Sequence, residues 1–121
     1  MLTVSVVIPA YNERDGIGSV VDGVRAALEG RVKEFEVIVV DDGSTDGTHE
    51  AVDPKKAALI RHPKNGGYGR SLRTGIEAAR HDWVLMIDGD GSYPPDQAAV
   101  LLDYAPRFDL IEQARGFQGR H

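Results

Sequence analysis

The chain is 121 residues long, 41% apolar and 27% charged, ordinary values for one globular domain able to bury roughly two thirds of its unfolded surface. Fourteen basic against nineteen acidic side chains leave a net charge of −5, which argues against nucleic acid as a partner, and the lack of cysteine excludes disulfides and thiolate chemistry. No run approaches the roughly 20 apolar residues that span a bilayer, and residues 1–7 lack the basic flank of a signal peptide, so a cytoplasmic setting is expected, free or peripheral to the cytoplasmic membrane face.

Residues 2–8 are β-branched and almost continuously apolar, the pattern of a strand covered on both faces, and Pro9 ends it. The loop Pro9-Ala-Tyr-Asn-Glu13 brings an aromatic ring and an acid. Asp15 is placed to cap a helix whose apolar positions Ile17, Val20, Val21, Val24, Ala27 and Leu28 keep helical spacing, with Gly30 as its stop. Residues 35–40 form a second buried strand delivering Asp41-Asp42-Gly43-Ser44-Thr45-Asp46-Gly47. A short helix follows and ends before Pro54, with Ser44, Thr45 and Asp46 expected to cap it. Residues 57–61 make a weaker third strand. A glycine-rich loop, 62–69, leads into a helix with Tyr68, Leu72, Ile76 and Ala79 on one side. Residues 83–90, Trp-Val-Leu-Met-Ile-Asp-Gly-Asp, read as a buried strand running into two acids separated by one glycine, with Trp83 at the sheet margin. Pro94 and Pro95 open another helix through Ala98, Leu101 and Leu102, which Pro106 closes, and residues 108–111 form a fifth strand. His49, His62, His81 and His121 show no ligand spacing and receive no role.

Strands alternating with helices imply right-handed crossovers and an open, mostly parallel, Rossmann-like α/β sheet with helices on both faces. Ligands bind such sheets beyond the carboxyl ends of the strands, near the point where strand order reverses. The acids gather at those ends: Glu13 after strand one, Asp41 and Asp42 after strand two, Asp88 and Asp90 after strand four. Strands one, two and four are expected to be neighbours there. In extended chain Asp88 and Asp90 project to one side, and like charges held that close call for a cation between them. A hard divalent ion suits carboxylate oxygens and shares its coordination with water and phosphates, while Gly89 keeps the turn between them open. The alternative, an ordinary Asp-Gly turn, does not account for the other converging acids.

Neither Gly-x-Gly-x-x-Gly after strand one nor a Gly-x-x-x-x-Gly-Lys-Ser/Thr loop is present. Phosphates would then fall to the metal and to Lys64, Arg70 and Arg73 near a helix N-terminus; the alternative is a left-handed turn at Asn65-Gly66-Gly67 with solvated charges. Asp41 and Asp42, being adjacent, point to opposite sides, one free to meet a nucleobase and the other bracing the following turn. Tyr11 either stacks at the ligand or is structural.

Together, Ser5-Val-Val-Ile-Pro-Ala-Tyr-Asn-Glu13, Val40-Asp-Asp-Gly-Ser-Thr-Asp-Gly-Thr48, Asn65-Gly-Gly-Tyr-Gly-Arg-Ser-Leu-Arg-Thr-Gly75 and Asp88-Gly-Asp90 resemble the consecutive signatures of family 2 glycosyltransferases, above all the polyprenyl- or dolichyl-phosphate mannosyl- and glucosyltransferases. The resemblance implies a GT-A fold that binds a nucleoside diphosphate sugar, UDP- or GDP-linked, with Mg²⁺ or Mn²⁺, for inverting transfer to an acceptor such as a polyprenyl phosphate. By matching positions, Pro9, Tyr11 and Glu13 would line the nucleotide pocket, Asp41 would read the base and Val39 would sit against it. Asp88, Gly89 and Asp90 would be the Asp-x-Asp segment, with Asp90 the direct metal ligand. Arg115 resembles a further donor-site arginine, although Gln113 stands where the family has glycine.

The resemblance assigns no catalytic base, and residues 1–121 correspond to the nucleotide-binding half of such an enzyme as a single, incomplete domain. Two other readings are a catalytically silent nucleotide-binding or self-assembling module, and a metal-dependent nucleotidyltransferase, whose glycine-rich basic loop after strand one is missing. Apolar surface left by a half-fold leads to an expectation of homo-oligomers.

Overall fold

Eight residues, five of them β-branched, Thr3–Ala10, form the strand on which the computed structural model is built (β1); the structure describes residues 3–90. After β1 come α1 (Ile17–Leu28), β2 (Glu34–Asp41), a single 3-10 turn (Thr48–Ala51), β3 (Ala58–Arg61), α2 (Tyr68–Ala78) and β4 (Trp83–Met86). All pairings are parallel and the order is β3-β2-β1-β4. The chain steps outward from β1 to β2 and β3, then crosses back to place β4 on the other side of β1. Strand order therefore reverses between β1 and β4, and strands one, two and four are neighbours as expected. The helix from Pro94 and the strand over 108–111 lie outside the described residues, as does Arg115.

Side-chain alternation sorts the core into two layers. Val4, Val6, Ile8 and Ala10 join Val37, Val39, Leu85 and Ile87 on the face covered by Ile17, Val20, Val21, Val24 and Leu28 of α1. Val7, Ile38, Val40 and Val84 face the other way, against Leu72 and Ile76 of α2. One helix on each face explains why β1 shows no polar alternation. Each fully buried Val, Ile or Leu contributes about 1.5–3 kcal/mol, and β1 carries the densest set.

The helix starts differ from expectation. Gly16, not Asp15, precedes α1, and no side chain caps it. Instead the amides of Gly16 and Ile17 both donate to the Glu13 carbonyl, at 3.1 and 2.8 Å, so a backbone turn begins the helix. Its end is as read: Gly30 at φ +77° follows the last turn, and the Arg31 amide returns to the Leu28 carbonyl at 2.9 Å. The segment after Gly47 is only a 3-10 turn. Asp46 accepts the Thr48 amide at 2.9 Å, but Ser44 and Thr45 do not cap it. Both bind Asn12 across the gap between the loops that follow β1 and β2: Ser44 Oγ accepts the Asn12 amide at 2.8 Å, and the Thr45 amide donates to Asn12 Oδ1 at 2.9 Å. Asn12 sits at φ +53°, held there by this lacing.

Candidate functional site

A cavity of about 420 Å³ opens at the carboxyl ends of the strands, where strand order reverses. Pro9, Ala10, Tyr11 and Glu13 form its β1 wall, and Asp42 joins from the end of β2. Asn65, Gly67, Tyr68 and Ser71 close the α2 side, and Asp88, Gly89 and Asp90 close the β4 side. Of the residues the sequence singled out, Pro9, Tyr11, Glu13, Asp88, Gly89 and Asp90 are thus brought together. Asp41 and Val39 do not line the cavity. Val39 is wholly buried in the α1-side core, and Asp41 turns its Oδ1 to the Ser44 amide at 3.0 Å.

Pairing between β1 and the β4 segment continues past Met86: the Ile87 amide donates to the Val7 carbonyl at 3.0 Å, and the Gly89 amide to the Pro9 carbonyl at 3.1 Å. This lays Asp88-Gly89-Asp90 alongside Pro9 and Ala10. Gly89 is buried, and its reason is close approach rather than an open turn. A Cβ there would lie 2.9 Å from the Pro9 carbonyl oxygen and 3.2 Å from the Ala10 Cβ. Asp88, half-buried, accepts the Tyr68 hydroxyl at 2.8 Å, while Asp90 is exposed at the rim.

Both Asp41 and Asp42 brace loops, and Asp42 does more. Its carboxylate takes Nδ1 of His62 at 2.7 Å and the amides of Gly66 and Gly67 at 3.0 and 2.8 Å. Burial pushes the Asp42 carboxyl up, but the bond from His62, the two amides and the charge interaction with His62 outweigh it and leave it below the ordinary aspartate value. An ionised carboxylate only accepts, which assigns a proton to His62 Nδ1; Nε2 faces the Thr74 hydroxyl at 2.9 Å. Asp42, His62 and Thr74 therefore tie β2, the end of β3, the glycine loop and α2 into one wall. Sequence reading passed over His62. Its only local signal is that it directly follows a strand, at the end where chemistry collects.

The electrostatics are one-sided. No basic side chain lines the cavity among the described residues; Lys64, Arg70 and Arg73 are exposed and stand outside it. Gly67 sits at φ +101° with ψ 163°, outside the left-handed helical region, and residues 65–67 do not form the left-handed turn that was the alternative there. Desolvation, followed by the charges of Asp90 and Asp46, raises the Glu13 carboxyl above its usual range. Burial, the bond to Asp88 and the charges of Asp88 and Asp90 push the Tyr68 hydroxyl up to about 12. Burial is the larger cause at both groups, and the charge of Asp90 adds to it at each. The donors are all hard oxygens, a set suited to Mg²⁺ or Mn²⁺ rather than to a softer metal. No cluster of three or more acidic or imidazole groups gathers as a metal cage among the described residues; Asp88 and Asp90 are the carboxylates on the β4 side of the cavity that could hold a cation. No described helix is long and apolar enough to cross a membrane.

The sequence profile of glycosyl transferase family 2 matches residues 5–113. An undecaprenyl-phosphate 4-deoxy-4-formamido-L-arabinose transferase from Aeromonas hydrophila is 34% identical over 119 residues, covering 93% of this chain and 36% of the relative. The chain spans about a third of the length of the curated relatives it matches. Among solved structures, S. aureus TarS in complex with UDP-GlcNAc superposes with a TM-score of 0.71 at 29% identity, over 87% of this chain and 30% of that one. A mannosyltransferase from Pyrobaculum calidifontis, in complex with GDP-Man and Mn²⁺, superposes with a TM-score of 0.66 at 33% identity, over 78% and 29%. The open parallel sheet with a helix on each face is that of the GT-A glycosyltransferases.

Proposed function

The chain belongs to glycosyl transferase family 2, and we propose that it is the donor-binding part of an enzyme that moves a sugar from a nucleoside diphosphate, UDP or GDP, to an acceptor such as a polyprenyl phosphate. The observation that carries this reading is the acidic cavity at the β1–β4 switch point, with Glu13, Asp42, Asp88 and Asp90 on its walls. Asp88 and Asp90 would hold a divalent cation, Mg²⁺ or Mn²⁺, with Asp90 the direct ligand. Such an ion shares its shell with water and the donor's phosphates, and it neutralises a diphosphate leaving group.

The chain's own residues position the donor. Tyr11, 46% exposed at the cavity wall, offers a ring face to the base. Pro9 and the rigid β1 end set the depth of the seat, Glu13 closes it, and Gly89 lets the acid pair approach the β1 backbone. Asp41, bonded to the Ser44 amide, and Val39 in the core behind it would support the β2 end of the seat rather than touch the base. Arg115 would contact the donor from outside the described residues.

Titration calorimetry of the chain with UDP- and GDP-sugars, with and without Mn²⁺, tests this. Metal-dependent binding of at least one donor is expected; metal-independent binding, or none, refutes it. The second reading is a catalytically silent, self-associating module. It draws on β4, which pairs with no strand but β1 among the described residues. Light scattering together with a sugar-release assay separates the two: a stable multimer without turnover favours the second.

A further inference from the structure

Ser71 sits on the first turns of α2, is 1% exposed, and borders the acidic cavity. Its hydroxyl oxygen is buried and has no hydrogen-bond partner among the described residues. Leaving a hydroxyl in that condition costs about 1–3 kcal/mol. A serine inside a helix has a ready remedy, donation to the carbonyl four residues back. Ser71 does not take it: the Gly67 carbonyl receives the Ser71 amide at 3.1 Å and not the hydroxyl. Alanine would fill the same place against the sheet without the penalty. A buried polar atom that is costly, replaceable and placed on a ligand cavity points to a partner supplied from that cavity.

The nature of that partner follows from the surroundings. With Glu13, Asp42, Asp88 and Asp90 on the walls and no basic side chain among the described lining residues, a bare anion is repelled from this position. Beside Ser71 on the α2 side stand neutral polar groups, Asn65 and Tyr68. Serine's single χ1 torsion lets the hydroxyl swing between the helix–sheet contact and the cavity it borders. We propose that Ser71 is a donor-binding residue whose hydroxyl pairs with a neutral oxygen of the bound nucleotide sugar, on either the nucleoside or the sugar. The assignment rests on the reading of the cavity as a nucleotide-sugar site.

The test is Ser71→Ala in the full chain, with thermal unfolding of the ligand-free protein measured beside calorimetric titration in Mn²⁺ of UDP, GDP, UDP-glucose and GDP-mannose. The variant should melt at or above the wild-type temperature, because an unsatisfied hydroxyl is removed. It should bind at least one ligand that the wild type binds about 5-fold or more weakly, the usual size of one lost neutral hydrogen bond. A loss already present with the nucleoside diphosphate alone places the partner on the nucleoside; a loss seen only with the sugar attached places it on the sugar. Unchanged affinity for every ligand that the wild type binds overturns the assignment and leaves the donor-site reading standing. A wild type that binds none of the four overturns both.

Discussion

Asp42 gathers three donors on one carboxylate, from His62, Gly66 and Gly67, and is 4% exposed. Replacing it by alanine leaves an imidazole and two amides without that acceptor, and we expect a loss of about 2–4 kcal/mol in urea unfolding at neutral pH. The pH dependence has a definite sign. The Asp42 carboxyl lies below its ordinary value of 3.8 in the folded chain, so its contribution is complete above that pH and fades as pH falls through the folded value. Wild-type stability should therefore drop below about pH 4, and Asp42→Asn should show a shallower acid limb. An equally steep limb in the variant would remove Asp42 as the cause. Sequence reading found the acids at the strand ends because their positions are local facts. It gave His62 no role because that role depends on β3 pairing with β2, a contact between residues 20 apart that no spacing rule encodes.

At the scale of elements, α2 lies on the face of β1 that carries Val7, and the approach is close. A Cβ on Gly75 would stand 2.2 Å from Val7 Cγ1 and 3.1 Å from Cγ2. Gly75→Ala should therefore cost about 1–3 kcal/mol despite the better helix propensity of alanine, and adding Val7→Ala should recover part of it. A stabilised single variant in thermal unfolding would contradict the packing. β1 and β2 were legible because β-branched runs mark them, β4 because of its short apolar run, and α1 because its five buried residues keep helical spacing. Helix starts were not. Asp15, Ser44 and Thr45 are good capping residue types, yet Glu13's carbonyl starts α1, and Ser44 and Thr45 are used by Asn12. A capping preference worth about 1 kcal/mol yields when two loops must be laced together.

For the molecule as a whole, the organising fact is that β1 has a partner on each side, so three strand ends meet around one opening. That meeting could be inferred from the alternation of strands and helices, since parallel order and crossover handedness leave few arrangements. The depth of the cavity could not, because it depends on the glycine at 89 letting β4's acids lie against Pro9. Nor could the separation between acids and cations: Lys64, Arg70 and Arg73 adjoin the glycine loop in sequence but stand outside the cavity. The result is a site whose described walls are negative or neutral, and on the function proposed above an anionic donor would enter it with a counter-cation. Electron paramagnetic resonance of Mn²⁺ tests that claim most directly. In the presence of UDP or GDP the wild-type chain should deplete the free-ion signal toward one equivalent, and the Asp88→Asn, Asp90→Asn double variant should not. Equal depletion by both proteins, or none by the wild type, would contradict the account.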